Sequence, residues 1–549
     1  MKKTIILFLV VVLSTILFFP FLGRVHLFDW DEINFAECAR EMIVSGNYSM
    51  VQIDFLPFWE KPPLFIWMQV LSMKLWGINE YAARFPNALC GVFTLAILFL
   101  IGSRVKSERL GILWVATYMC SVLPFLYFKS GIIDPWFNLF IFLSIYAMFE
   151  YMQSSGRWKG VGWSSLSAAF LGLAILTKGP VAGIIWLLTV IVLIIVRRFR
   201  FPFHGAAIAG FVITLILVGG SWFFLIAIQG NTATIAEFIH YQIRLFSSQD
   251  AGHGGSLLYH LEVLFLGLFP VSLFFILSFR LKKSSDPFLS LFKKIMTILL
   301  LVVLILFSIV ETKIVHYSSL CYFPLTFLAA LYIDSKWKME RPIPKAASVI
   351  MMIIYCLFFL VATAIPLLLN DPVWIIPYIK DPFAKACLHA PITWTALDYL
   401  PACILFLGIL TYIFHFNRKA KRQFLILGIT SLLFIISAIL IYPKKAEMYS
   451  QHALVEFCKS RKGKDVYLES ASFKSYAPLF YGAKKRVSNP MSRFTRWLLK
   501  GTIDKPVYLV TKVHELDELV KENPHLKIIY QQNGYVFLIR EYPLSYDKR

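Results

Sequence analysis

The chain has 549 residues, of which 58% are hydrophobic and only 16% charged, and its mean hydropathy is +0.68. These values exclude an ordinary soluble protein, because globular domains carry about 25% charged residues. The net charge of +22 would suggest nucleic acid in a soluble protein, but no basic stretch interleaved with aromatics forms a strand-binding groove. No nucleic-acid partner is therefore expected. Eight scattered cysteines without a CxxC spacing indicate neither a disulfide framework nor a cysteine metal cluster.

Thirteen apolar segments are each close to the roughly 20 residues that a membrane-spanning helix needs. The first follows two lysines and lacks a small-x-small cleavage site, which favours a retained anchor over a cleaved signal. We therefore expect an α-helical polytopic membrane protein with about thirteen transmembrane helices. The predicted spans are 4–22, 82–102, 108–127, 133–152, 162–177, 179–196, 206–228, 257–279, 295–311, 315–333, 346–368, 397–416 and 423–442.

Lysine and arginine cluster in every second connection between these spans. Such clusters mark cytoplasmic loops, because basic residues resist translocation. The pattern predicts a cytoplasmic N-terminus and, with thirteen spans, a C-terminus outside. The basic connections are 104–109, 157–159, 197–200, 282–294, 336–345 and 418–422.

The composition divides the chain into two predicted domains. Residues 1–442 form the membrane domain, and its outer loop 23–81 carries most of the candidate chemistry. From residue 443 the sequence is that of a small soluble α/β domain, expected on the outer side. Its predicted β-strands are 464–469, 506–511, 527–530 and 535–540, and a helix is predicted over 514–521.

An acidic pair opens the outer loop's first predicted helix. Asp31 and Glu32 lie in the first turn of an amphipathic segment that runs to about Val44, with Gly46 just past its end. The helix dipole stabilises an ionised carboxylate there, which suits a general base. The alternative is that the aspartate simply caps the helix.

Two further acidic positions lie at predicted membrane boundaries. Glu60 and Lys61 precede Pro62-Pro63, which is typical of the start of a helix. They offer a proton or metal acceptor and a phosphate-seeking cation, or else a solvated turn. Asp134 begins the fourth span; a carboxylate at membrane depth is costly unless it is paired or functional, although a helix cap would also explain it.

Several motifs in this order resemble the polytopic C-type glycosyltransferases of the protein O-mannosyltransferase and lipid A aminoarabinose transferase family. The resemblance covers the membrane part and the outward C-terminal domain. It implies transfer of a sugar from a polyprenyl-phosphate donor, expected to be undecaprenyl-phosphate, to lipid A or another envelope glycan at the periplasmic face of a bacterial inner membrane. The motifs are Asp31-Glu32, 36–42, Glu60-Lys61-Pro62-Pro63-Leu64, 80–86, Thr177-Lys178-Gly179-Pro180 and 313–317.

The resemblance also implies roles for individual residues. Asp31 would be the base or acceptor-orienting carboxylate, with Glu32 in support, Asp134 as a second acidic position and Asp29 as the alternative base. If the acceptor is an ionised phosphate, Asp31 would instead stabilise positive charge on the sugar. The predicted clamp for the donor phosphate is Lys61, Arg84, Lys178 and Lys313, with Tyr317 as a hydroxyl donor. Snorkelling of these cations is the competing interpretation.

A divalent metal is implied in the same way. In the aminoarabinose transferases zinc is associated with the glutamate of the Glu-Lys-Pro-Pro motif and a later loop histidine, here Glu60 and His253, with His240 and His316 as rivals. Two protein ligands are an incomplete zinc site. Asn34-Phe35 departs from the Arg-Tyr usual in that family, which puts the identity of the sugar or acceptor in doubt.

The sequence is also compatible with two other functions. A protein O-glycosyltransferase would use the same donor class. A transporter or flippase for lipid-linked sugars would place polar residues near the bilayer midplane, whereas the predicted spans are apolar through their middles and their charges lie at one face.

Overall fold

A computed structural model describes residues 2–202, 204–247, 254–282, 284–337, 342–486 and 488–542. The first helix, α1 (Lys2–Phe18), leads into the outer loop. This loop contains two helices and a two-stranded antiparallel hairpin: α2 (Asp31–Ser45), β1 (Gln52–Ile53), β2 (Leu56–Pro57) and α3 (Leu64–Trp76). The predicted acidic helix is therefore present, and Gly46 ends it in the left-handed conformation that favours glycine, with φ of +70°.

The rest of the membrane domain is helical. Its helices are α4 (Glu80–Val105), α5 (Glu108–Met119), α6 (Val122–Tyr127), α7 (Asp134–Gln153), α8 (Arg157–Lys178), α9 (Val181–Val196), α10 (Gly205–Gly219), α11 (Ser221–Ile228), α12 (Thr232–Ser247), α13 (Tyr259–Gly267), α14 (Val271–Ser278), α15 (Pro287–Ile309), α16 (Tyr322–Lys336), α17 (Lys345–Asn370), α18 (Pro382–Leu388), α19 (Leu400–Phe414) and α20 (Ala420–Tyr449). A 3₁₀ helix, Val315–Cys321, precedes α16.

Every predicted span coincides with helical chain, but several are not single straight helices. In the described residues six helices are long and apolar enough to cross a membrane, or eight if two bent pairs count as one span each. The pair α10 and α11 is bent by 51° and the pair α13 and α14 by 112°. The predicted span 257–279 is thus a sharply broken element with Pro270 at its break, and 108–127 divides into α5 and α6. Hydropathy averages over such breaks, because it measures composition and not direction.

The C-terminal part contains a four-stranded mixed sheet flanked by short helices. Its elements are α21 (His452–Arg461), β3 (Tyr467–Ser470), α22 (Ala477–Phe480), α23 (Thr495–Lys500), β4 (Val507–Lys512), α24 (Leu516–Glu522), β5 (Lys527–Gln532) and β6 (Tyr535–Arg540). The strand order is β3-β4-β6-β5, with β3 and β4 parallel and the other pairs antiparallel. All four predicted strands are present.

The boundary between the two parts is less abrupt than the composition suggests. Helix α20 continues through residue 443 to Tyr449. Ile33 and Ala36 of α2 share one buried apolar cluster with Leu454 of α21 and Tyr476 before α22. The C-terminal domain therefore packs directly against the outer loop, and it lies on the same side of the molecule as α2.

Candidate active site

Four separate elements bring charged side chains together at one end of the helices. His316, on the 3₁₀ helix before α16, places its Nε2 3.8 Å from a carboxylate oxygen of Asp31 and 3.8 Å from one of Asp134. Lys178, the last residue of α8, donates to Asp134 at 2.6 Å. Two predicted acids and one predicted cation thus meet around an imidazole that the sequence had offered only as a rival metal ligand.

Asp31 faces the open side of this cluster. It is the first residue of α2, while the capping position is Trp30. Its side chain is 48% exposed, in contrast to 3% for Asp134. Asp31 is therefore the carboxylate of the cluster that an incoming molecule can reach.

Glu32, the next residue, points into the protein. Its carboxylate accepts hydrogen bonds from Arg84 at 2.7 and 2.8 Å and from the backbone N–H groups of Phe28 and Gly131. Burial alone would raise the pKa of Glu32, but the ion pair and hydrogen bonds with Arg84 hold it below its ordinary value. Glu32 joins α2 to α4 and to the turn before α7, so its support for Asp31 is positional.

Arg84 has no N–H left for a phosphate. Its guanidinium has five N–H donors; two are directed at Glu32, and the others are directed at backbone carbonyls of the chain between α1 and α2. The carbonyl partners are Leu22, Val25 and His26. This geometry does not support the predicted contact of Arg84 with the donor phosphate, and it makes the residue an anchor of the outer loop.

Lys313 also donates its hydrogen bonds to the protein itself. Its buried ammonium donates to three carbonyls at the end of α15: Phe307 at 3.2 Å, Ser308 at 2.6 Å and Val310 at 2.6 Å. These groups lack partners within the helix, and a lysine near a helix C-terminus satisfies them. The geometry gives Lys313 a structural task in place of the predicted phosphate contact.

Two lysines remain at the acidic cluster. Lys178 lies 4.9 Å from the ring centroid of Tyr317, the predicted hydroxyl donor. Lys61 lies 5.1 Å from the ring of Tyr241 on α12. Burial lowers the pKa of Lys61 and neighbouring Lys178 lowers it further, while Glu60, Asp31 and Asp134 act in the opposite direction. Lys61 therefore interacts electrostatically with the same carboxylates.

His316 is held in position through neighbouring backbone. Asn138 of α7 donates to the hydroxyl of Ser319 at 2.7 Å, and that hydroxyl donates to the carbonyl of His316. On the other side, Asn87 of α4 donates to the carbonyls of Ser130 and Ile132, at 2.6 Å each, in the turn before Asp134. Sequence reasoning missed both asparagines, because neither lies in a spacing that signals its distant partner.

Asp29, the alternative base, has a different partner. The hydroxyl of Ser475 and the backbone N–H of Tyr476 both donate to its carboxylate. Burial raises the pKa of Asp29, and these hydrogen bonds oppose the effect. Asp29 thus connects the outer loop to the C-terminal domain, which leaves Asp31 as the better placed carboxylate.

The predicted metal site is incomplete in the described part of the chain. His253 lies outside the described residues, and among those described no group of three potential metal ligands includes Glu60. Of the rivals, His240 is exposed on α12, and His316 faces the two aspartates. The residues described around Glu60 do not make a zinc site, so no chemical step below depends on one.

Comparisons with known proteins show which families this chain is similar to. The family described as dolichyl-phosphate-mannose-protein mannosyltransferase matches residues 60–222. An undecaprenyl phosphate-alpha-4-amino-4-deoxy-L-arabinose arabinosyl transferase of Shewanella sediminis is 26% identical over 62% of this chain and 61% of that protein. Its counterpart in Edwardsiella ictaluri is 29% identical over 57% of each chain. The chain thus spans about three fifths of the length of these relatives.

Solved structures extend the similarity over nearly the whole chain. ArnT from Cupriavidus metallidurans bound to undecaprenyl phosphate has a TM-score of 0.78 at 18% identity and covers 98% of this chain and 99% of its own. The apo state of the same protein has a TM-score of 0.76. At this identity the structures establish the fold. The predicted resemblance to polytopic C-type glycosyltransferases and the predicted fold class, a multi-pass helical membrane protein with a small C-terminal sheet domain, are confirmed; the number of thirteen spans is not.

Proposed function

We propose that this chain transfers a sugar from an undecaprenyl-phosphate type of donor to lipid A or another envelope glycan. One observation carries the proposal: Asp31, Asp134, Lys178 and His316 converge from four elements of the chain. The names of the relatives support the donor class, and the solved structure of ArnT bound to undecaprenyl phosphate supports a site for the lipid phosphate in this fold.

The reaction breaks the bond between the sugar's anomeric carbon and a phosphate oxygen while the acceptor oxygen attacks that carbon. Negative charge grows on the departing lipid phosphate. Lys178 and Lys61 are the cations beside the cluster that can stabilise this charge, with Tyr317 next to Lys178. Arg84 and Lys313 act in this scheme only through the structure that they hold.

Asp31 serves the acceptor side. An exposed, ionised carboxylate can accept the proton of an attacking hydroxyl. When the acceptor is an already ionised phosphate, no base is needed, and Asp31 instead stabilises the positive charge that develops on the sugar. Asp134 is neutralised by Lys178, so its part is to hold that lysine and His316 in position.

Zinc at Glu60 and His253 stays a prediction. So do the placement in a bacterial inner membrane, the cytoplasmic N-terminus and the periplasmic C-terminus. The site and the C-terminal domain lie on the same side of the molecule, so both would face the same compartment.

A protein acceptor is the second candidate. It is favoured by the match of residues 60–222 to a family described as protein mannosyltransferases. The donor half of the site would be the same in both reactions, so the acceptor has to be identified by experiment.

The decisive experiment combines two measurements. Purified protein in lipid vesicles is incubated with a synthetic polyprenyl-phosphate sugar and either lipid A or envelope protein, and transfer is followed by mass spectrometry. In parallel, lipid A, surface glycans and envelope proteins are compared between cells with and without the gene. A sugar missing from lipid A and restored in vitro supports the proposal. A sugar missing only from protein supports the second candidate, and no missing sugar in any fraction favours a transporter.

A further inference from the structure

A second cluster of polar side chains lies where the chain before α2 meets the C-terminal domain. His26 belongs to the segment between α1 and α2, and His452 and Glu456 belong to α21. One potential metal-ligand atom from each of the three lies within 4.8 Å of the others. From this geometry we propose that His26, His452 and Glu456 bind a transition-metal ion of the zinc class, which joins the outer loop to the C-terminal domain. The site is distinct from the one predicted at Glu60.

The carboxylate of Glu447 orients both histidines. Its Oε1 lies 2.7 Å from Nδ1 of His26 and 3.0 Å from Nδ1 of His452, and its side chain is buried. An ionised carboxylate only accepts hydrogen bonds, so each histidine contacts it through Nδ1, and Nε2 is the ring nitrogen left to face a metal. The two rings stack with 5.5 Å between centroids and 20° between planes. Metal-binding histidines characteristically have such a carboxylate on the other ring nitrogen.

The distance between two of the proposed ligand atoms suits a small tetrahedral ion. Nε2 of His26 lies 3.3 Å from Oε1 of Glu456. This is about the separation of two ligands that each lie about 2.0 to 2.1 Å from a tetrahedral zinc ion. His452 and Glu456 are four residues apart on α21, so their side chains share one face of the helix. Three protein ligands leave a fourth position for water.

The backbone that carries His26 is fixed before any metal binds. Arg84 donates to the carbonyl of His26 at 2.9 Å. The next residue, Leu27, donates through its N–H to the hydroxyl of Tyr481 at 2.7 Å, and its carbonyl accepts from Gln451 at 2.5 Å. Because these contacts already order the chain, binding costs little further conformational entropy.

A lysine now occupies part of the space that the ion would take. The ammonium of Lys459 lies 3.2 Å from Nε2 of His26 and 3.0 Å from Oε1 of Glu456. The position therefore already favours a cation. The side chain of Lys459 is 43% exposed, so it can move into solvent when a metal arrives. Lys459 thus competes with the metal, and this competition gives the proposal a test that loss of folding cannot imitate.

The test measures metal binding to the purified full-length protein in detergent. Zinc affinity is determined by competition with a chromogenic chelator, and cobalt absorption reports the ligand geometry. We expect one zinc ion at this site, lost in His452→Gln and in Glu456→Gln. Glu447→Gln should bind about 10- to 100-fold more weakly, because the histidines lose their orienting partner. Lys459→Met should bind more tightly than the unchanged protein.

Two control variants separate this site from others. His514→Gln removes a surface histidine that is paired with Glu515 and should leave zinc binding unchanged. Glu60→Gln should leave this zinc in place even if it removes another. Zinc should also raise the midpoint of thermal unfolding of the unchanged protein but not of His452→Gln. The proposal is overturned if Lys459→Met binds zinc no better than His452→Gln, or if the bound zinc disappears with Glu60→Gln alone.

Discussion

Adjacent acidic residues acquire opposite roles at the start of α2. Asp31 is half exposed and lies 3.8 Å from His316, whereas Glu32 is buried and fully engaged by Arg84 and two backbone amides. The helix turns by about 100° between successive residues, so one residue faces the cluster when its neighbour faces the protein. The pair therefore offers a matched comparison of chemical and structural roles.

Asp31→Asn should abolish sugar transfer while membrane insertion, donor binding and the unfolding temperature stay unchanged. Glu32→Gln should instead destabilise the protein by about 3 to 5 kcal/mol, because it leaves the buried charge of Arg84 unbalanced. Transfer assays and thermal unfolding of both variants check this. Normal transfer by Asp31→Asn would remove that residue from its proposed role.

Lys61→Ala should raise the donor KM more than it lowers stability, because its ammonium interacts electrostatically with Asp31 and Asp134 and would be lost as a cation for the donor phosphate. Lys74→Ala is the matched control: Lys74 also lies over a tyrosine ring, at 4.3 Å from that of Tyr48, but it is exposed on α3. The measurement is the donor KM for both variants. An unchanged KM for Lys61→Ala would indicate that this lysine only snorkels.

Glu41, farther along α2, should make stability depend on pH. Burial, reinforced by nearby Glu37, raises the pKa of Glu41 from 4.5 to about 9. The folded protein then holds a proton that the unfolded chain has released, so stability falls as pH rises from about 4.5 towards 9. Glu41→Gln keeps an acceptor for the N–H of Phe55 and should flatten this decline. Unfolding temperatures of both proteins from pH 6 to 9 test the prediction; parallel curves would contradict it.

The sequence identified several residues of the cluster but not their partners. Asp31, Asp134, Lys61 and Lys178 come from local motifs, and the structure brings these motifs together. Arg84 and Lys313 also lie in motifs of the family. However, the N–H groups of Arg84 donate to Glu32, and the ammonium of Lys313 donates to backbone carbonyls. Such commitments depend on contacts between distant parts of the chain, which residue spacing does not encode.

At the scale of elements, two lysines donate hydrogen bonds to the carbonyls at the ends of helices. Lys313 donates to three carbonyls at the end of α15, and Lys129 donates to the carbonyls of Leu17, Phe18 and Pro20 at the end of α1. In an apolar surrounding an unpaired carbonyl is expensive. The lysine therefore allows the chain to leave the helix at that depth, and in the first case it sets where the 3₁₀ helix with His316 begins.

Lys313→Met should destabilise the protein by about 1 to 3 kcal/mol, because the carbonyls at the end of α15 lose their donor. Transfer should fall through kcat while the donor KM stays constant, since the lysine positions His316 and does not touch the phosphate. Lys313→Arg should recover part of both losses. A selective rise in donor KM with normal stability would restore the predicted phosphate contact.

The sequence predicted helices and strands correctly where local composition and residue pattern determine them. Each of the thirteen apolar windows contains helix, and the C-terminal strands appear at the expected positions. The bends did not follow from hydropathy, although Pro270 marks one of them. No helix was predicted between the spans 206–228 and 257–279, where α12 lies. Its residues are amphipathic, so mean hydropathy did not distinguish this helix from a loop.

At the scale of the whole molecule, two polar layers lie at opposite ends of the same helices. On α4, Arg84 pairs with Glu32 at one end and Arg104 pairs with Glu150 of α7 at the other. Twenty residues of helix separate the two arginines by about 30 Å, which is the thickness of the hydrocarbon core. Lys106 and Arg109 bind Asp334 in the second layer. The basic connection 104–109, and Asp334 just before the connection 336–345, therefore lie at the end remote from Asp31.

This arrangement makes the membrane orientation testable. If the basic layer is cytoplasmic, then Asp31 and the C-terminal domain, which shares an apolar cluster with α2, face outward. Cysteines are introduced as Arg418→Cys and Lys464→Cys after the two exposed native cysteines, Cys356 and Cys403, are replaced by serine; the other six are buried. In spheroplasts an impermeant maleimide should label Lys464→Cys but not Arg418→Cys, and lysis should expose both. The reverse pattern would place the cluster on the cytoplasmic face, where the proposed periplasmic transfer to envelope glycans could not occur.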